Sequence, residues 1–193
     1  MTPTPTGQVI PTATGRDLVL ERILPGSIDD AWASITESDR LARWFCTWTG
    51  EPRVGATLEL TLVAEEGDDT SQAEILACEP PTHLAVSTGT WLLEATLTPI
   101  DANHSRLRFV HHLDEKTNSA EIGPGWEYYL DRLVAAMNGD PMPDFDDYWP
   151  SLASAYADPP TPPAASQRSS EQSGVQPLGE AERAQPAGTG GSS

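Results

Sequence analysis

The most constraining feature of this chain lies between Trp126 and Met137. Trp126, Tyr129, Leu130, Leu133, Val134 and Met137 fall at +0, +3, +4, +7, +8 and +11, one wide apolar stripe on an α-helix. Glu127, Asp131, Arg132 and Asn138 read as the polar face opposite. Gly123-Pro124-Gly125 reads as the helix entry, and Asn138-Gly139 followed by Pro141 as its stop. Burying six such side chains contributes roughly 1.5–3 kcal/mol each, far more than helix propensity supplies alone. The helix therefore needs an apolar surface to lie on.

The preceding sequence supplies a sheet. Leu18 to Leu24 reads as a strand closed by Pro25-Gly26. Ser27 with Asp30 forms a capping-box pattern, and Ile28, Ala31, Trp32 and Ile35 follow at helical spacing. A second short helix, capped at Thr36 or Ser38, runs through Leu41 into an aromatic cluster of Trp44, Phe45 and Trp48. After Gly55 the period changes to two. Leu58, Leu60 and Leu62 alternate with polar residues, Gln72 to Cys78 and Thr82 to Ser87 follow as strands, and Trp91, Leu93, Ala95 and Leu97 share one face. Leu107, Phe109 and His111 line one face of the last strand. Short strands joined by tight turns indicate an antiparallel sheet, hence an α+β fold.

The ends have a different composition. Residues 1–16 contain five Thr and three Pro, and residues 158–193 contain six Pro, six Ser and five Gly. Neither holds an aromatic residue, and all thirteen aromatics fall between Trp32 and Tyr156. Both ends are expected to be disordered tails. The body is expected to comprise a domain over 17–139 and an aromatic-rich appendix over 140–157 that packs back onto it. Acidity belongs to the body: 29 Asp and Glu stand against 11 Lys and Arg in the whole chain, a formal charge of −18. A field of that sign argues against nucleic acid and against anionic membranes as partners. No export signal or apolar span occurs in the sequence, so a cytoplasmic location is expected. Cys46 and Cys78 lack metal or redox spacing and read as reduced thiols.

Four segments carry a family resemblance. Ile28-Asp-Asp-Ala-Trp32-Ala-Ser-Ile35-Thr36 with Leu41-Ala-Arg-Trp44-Phe45, Ala73 through Leu84, Ser105 through His111, and Gly125-Trp126 through Leu133 together resemble the SRPBCC superfamily, in its branch related to the activator of the heat-shock-protein-90 ATPase. The resemblance implies a helix-grip fold: a curved antiparallel sheet of six to seven strands around a long C-terminal helix, with two short helices after the first strand. Members hold a cavity between sheet and helix. Many bind apolar or amphipathic ligands there, and others cyclise polyketides or serve as co-chaperones.

Sites of other chemistry are sparse. No nucleophile elbow, P-loop or dinucleotide fingerprint occurs. His111 and His112, as strand neighbours, point to opposite faces and cannot chelate together, so no metal is expected. Asp140 to Asp147 holds four carboxylates but lacks the central Gly and terminal Glu of a calcium loop. No cofactor is expected. The leading expectation is a small-molecule-binding protein whose apolar ligand meets Trp44, Phe45, Trp48, Trp91, Phe109, His111, Trp126, Tyr129 and Leu133. The alternatives are a regulator acting on a protein partner through its acidic surface, and a cyclase- or hydrolase-type enzyme. The latter would use His111 as general base, with Glu94 or Asp114 nearby.

Overall fold

A computed structural model describes residues 3–63 and 70–157. Eight strands form one antiparallel sheet: β1 (Gln8–Pro11), β2 (Arg16–Pro25), β3 (Cys46–Thr49), β4 (Thr57–Leu62), β5 (Thr70–Glu79), β6 (His83–Thr88), β7 (Trp91–Pro99) and β8 (His104–Leu113). Their spatial order is β1-β2-β8-β7-β6-β5-β4-β3. The short helices α1 (Ile28–Thr36) and α2 (Ser38–Leu41) follow β2, and the long helix α3 (Ser119–Asn138) follows β8. A 3-10 turn at Phe145–Asp147 and a last short helix, α4 (Ala153–Tyr156), complete the described chain. This is the expected helix-grip arrangement of an α+β fold, with more strands than expected.

The two added strands are β1 and β3. Residues 1–16 read as disordered, yet Gln8–Pro11 pair with Arg16–Val19 at the sheet edge. An edge position tolerates Pro11, which has no N–H to give to a ladder. In β3, Cys46 is buried and Trp48 half-buried while Thr47 and Thr49 are exposed. That alternation is only four residues long and was hidden within the aromatic cluster.

Local signals explain most of the rest. Ser27 and Asp30 form the capping box of α1, each side chain bonding the other's backbone N–H. A register shift in β5 between Ile75 and Ala77 marks a bulge, a device that bends a strand. On the concave face Leu18, His111 and Leu93 stand in one row across β2, β8 and β7, and Leu20, Phe109 and Ala95 in the next. Against these rows α3 lays Trp126, Leu130 and Leu133, all nearly inaccessible.

Helix α3 departs from expectation in two ways. It begins at Ser119, capped by the Asn118 side chain on the Ala120 N–H, and carries Pro124 within its second turn. It stops as expected at Gly139, which takes the left-handed conformation (φ +76°) that glycine accommodates. Glu127, read as part of a solvated face, is instead buried, because the N-terminal segment and the appendix cover that side of the helix. The appendix places Tyr148, Leu152 and Tyr156 in the core. Gly123 makes this possible, since a Cβ there would lie 2.2 Å from the Tyr156 ring. The Glu65–Asp69 connection and the 158–193 segment lie outside the described residues. Among the described residues, no helix is long and apolar enough to cross a membrane.

Candidate ligand-binding site

Space remains between α3 and the sheet, divided into two chambers. The inner chamber has a volume of about 160 Å³ and reaches from Trp126 and Leu130 to Trp44, Trp48 and Ile35. The outer chamber has a volume of about 700 Å³ and is bounded by Trp91, Ile122, Trp126, Tyr128, Tyr129 and Phe145. The latter volume falls within the ~300–1,000 Å³ of ordinary small-molecule sites.

Of the nine residues singled out in the sequence, Trp44, Phe45, Trp48, Phe109 and Trp126 line the inner chamber. Trp91 and Tyr129 line the outer one, together with Phe45 and Trp126. Leu133 and His111 line neither chamber: both are buried in the packed layer beside them. Ring contacts tie the set together, with Phe109 and Trp126 at 4.3 Å, Phe45 and Tyr129 at 5.1 Å, and Trp91 and His111 at 4.9 Å between centroids.

The polar atoms of three lining indoles are satisfied within the protein. Trp44 donates its Nε1–H to the Ser34 carbonyl at 2.9 Å, and Trp48 donates to the Thr36 carbonyl at 2.9 Å. Trp126 donates to Nδ1 of His111 at 3.1 Å. This last bond fixes the tautomer: Nδ1 accepts, so the proton of neutral His111 is on Nε2. Burial, with the nearby His112 charge adding to it, lowers the His111 pKa to about 4 and keeps the ring neutral. A ligand in the inner chamber therefore meets mainly carbon surface. Cys46, which also lines it, is held as a thiol because burial raises its pKa to about 12.

The acid partners considered for His111 are elsewhere. Glu94 places its carboxylate oxygens 3.4 Å from His112 Nε2 and 3.9 Å from His83 Nε2, on the side of β8 opposite His111. Asp114 accepts from the Thr117 hydroxyl and from the Lys116 and Thr117 N–H groups. The His111–acid pair of the enzymatic alternative is thus not assembled. Among the described residues, no cluster of His, Cys, Asp and Glu is spaced to hold a metal ion.

Several lining residues were not singled out from sequence. Leu93 shares the face of Trp91 by strand alternation, so the pattern could have placed it. Tyr128 escaped because it lies outside the apolar stripe, and Phe145 because no periodicity ties the appendix to the cavity mouth. Both pack there edge to face, with centroids 5.2 Å apart.

Comparison with known proteins agrees with this architecture. The crystal structure of CalU16 from Micromonospora echinospora is similar with a TM-score of 0.61 and 25% identity, covering 78% of this chain and 92% of that one. A conserved protein of unknown function from Enterococcus faecalis, EF2215, matches at a TM-score of 0.64 and 21% identity, covering 78% and 87% respectively. DynU16, described as a putative protein in the dynemicin biosynthetic locus, matches at 0.56 and 22%, covering 67% of this chain and 50% of that one. A search of curated proteins finds no match. The model of one family, however, matches residues 25–138, from the turn before α1 to the last turn of α3 and well over half the chain, and the protein belongs to that family, described as Activator of Hsp90 ATPase homolog 1-like protein.

Proposed function

We propose that this protein binds an apolar or amphipathic small molecule in the space between α3 and the sheet. The observation that carries this reading is a pair of adjoining chambers with aromatic walls, in which the indole N–H groups of Trp44, Trp48 and Trp126 are already bonded to protein acceptors. Such a surface gains by covering carbon and offers few polar fixings, which suits capture and shielding of a ligand better than acid–base chemistry on it.

Titration with fatty acids, fused-ring aromatics and polyketide-like compounds tests the reading. Binding should change intrinsic Trp fluorescence and raise the Tm, since ligand at ~100 Kd stabilises by about 2.7 kcal/mol. A panel that moves neither signal would remove the proposal. A protein-partner role is the second reading, favoured by the formal charge of −18 and by the family's description. Pull-down at low and high salt checks it, and recovery of no partner at either salt counts against it.

A further inference from the structure

Five residues line both chambers: Phe45, Leu60, Val86, Leu93 and Trp126. They come from five parts of the fold, namely the α2–β3 connection, β4, β6, β7 and α3. Three form a floor on the sheet and two aromatic rings form a roof. The rings of Phe45 and Trp126 lie 5.7 Å apart at 45°, in van der Waals contact. The shared residues are therefore the neck between the chambers.

The two halves of the roof are held differently. Trp126 sits on a 20-residue helix, is tethered through Nε1 to His111 and lies on Phe109. Phe45 sits between α2 and β3, outside regular structure and half-buried, and its ring packs against those of Trp44, Trp126 and Tyr129. Its backbone is anchored by bonds to Leu41 and Val63, and no hydrogen bond tethers its ring as one tethers that of Trp126. Around the neck, Trp44 is tied to α3 through its carbonyl, which accepts from Arg132 Nε at 2.8 Å.

We infer that Phe45 is the size-determining gate between the chambers: its ring, set against Trp126 where they adjoin, decides how much of a ligand seated in the outer chamber reaches into the inner one. The inference rests on the binding role proposed above. Ligand chemistry follows from the two volumes. A cavity of roughly 150 Å³ accommodates one benzene-sized group, so the inner chamber takes a slim apolar arm and the outer chamber takes a larger, multi-ring body. Among the described residues neither chamber is lined by a Lys or an Arg, and Glu121 lines the outer one, so a neutral ligand fits where a carboxylate finds no cation.

Neutral 1-alkylnaphthalenes with side chains of zero to eight carbons test this, with Kd read from Trp fluorescence. In the wild-type protein affinity should rise about fourfold per methylene, then level off when the inner chamber is full. Phe45→Trp should flatten the rise with chain length. Phe45→Ala should move the plateau to longer chains, and Phe45→Leu should do the same more weakly if the alanine variant fails to fold. An identical chain-length profile in wild type and variants would overturn the gate while leaving binding intact. Failure of the wild-type protein to bind any member would overturn the binding role and the gate together.

Discussion

Trp126 and Glu127 are neighbours in sequence, both nearly inaccessible, and face opposite situations. On the Trp126 flank of α3 the walls are aromatic and space is left open. On the Glu127 flank every group is engaged: the carboxylate accepts from Arg22, from Tyr156 Oη and from the Thr6 and Gly7 N–H groups. Asp131, one turn on, accepts from Arg22 Nε at 2.8 Å and from Tyr148 Oη at 2.7 Å. Burial works against the Glu127 charge, but the bonds from Tyr156, Arg22 and Thr6 outweigh it and hold the pKa below the usual carboxylate value. The contrast teaches how a helix can span a hollow without falling into it. One flank is clamped by a charge network joining the Thr6–Gly7 segment and Tyr156 to β2 through Glu127, so the other need not be packed.

The largest expected effect follows from breaking the clamp. Glu127→Ala leaves Arg22 with Asp131 as its remaining carboxylate and strips an acceptor from Thr6, Gly7 and Tyr156. Removing one partner of a buried pair costs about 3–5 kcal/mol, read as a lower urea midpoint at unchanged m-value. Trp91→Leu, at a residue 37% exposed on the chamber flank, should cost clearly less. If the order were reversed, the clamp would not be what holds α3 in place.

The same contrast has a pH signature. His111 has a folded pKa of about 4 against an ordinary value near 6.5, so the unfolded chain binds the proton first. Stability therefore falls as pH drops from about 6.5 towards 4, by about 3 kcal/mol. Glu127, with its pKa lowered on folding, contributes stability above the unfolded carboxylate value and loses it as pH falls through the folded one, a later window. Denaturant titrations of His111→Leu should show a lower neutral-pH stability, because the Trp126 N–H loses its acceptor, and a flatter slope between pH 6.5 and 4. An unchanged slope would mean that another group titrates there.

Much of the concave side was legible in the sequence because periodicity reports burial. The alternation in β4, β7 and β8 and the stripe on α3 name the inward rows, and the aromatic clustering names the chamber walls. The clamp was not legible, because nothing in Glu127 itself says that Thr6 and Tyr156, about 120 and 29 residues away, will return to cover it. A composition of Thr and Pro describes an end that cannot fold alone, yet β1 needs only the free edge of β2. The start of α3 was misplaced by trusting Pro124, although Asn118 with Glu121 three residues on carries the capping spacing, and their side chains are 2.9 Å apart. The space between α3 and the sheet was equally hidden, since periodicity tells which side chains face inward but not whether their volumes fill it.

That last distinction gives the smallest and sharpest of the expected effects. If the inner chamber is kept empty for a ligand, filling it should raise stability and lower affinity together. Ala95 lines the chamber on β7, directly opposite Phe109 on β8. Ala95→Leu adds three carbons into that space and should stabilise by about 1 kcal/mol, within the range of cavity-filling substitutions, while weakening long-chain alkylnaphthalenes more than naphthalene itself. Thermal melts with and without ligand separate the two effects. Destabilisation would show instead that the space is already packed to the limit, since overpacking forces side chains off their rotamers, and the division of α3 into a clamped and a hollow flank would then fail at its hollow side.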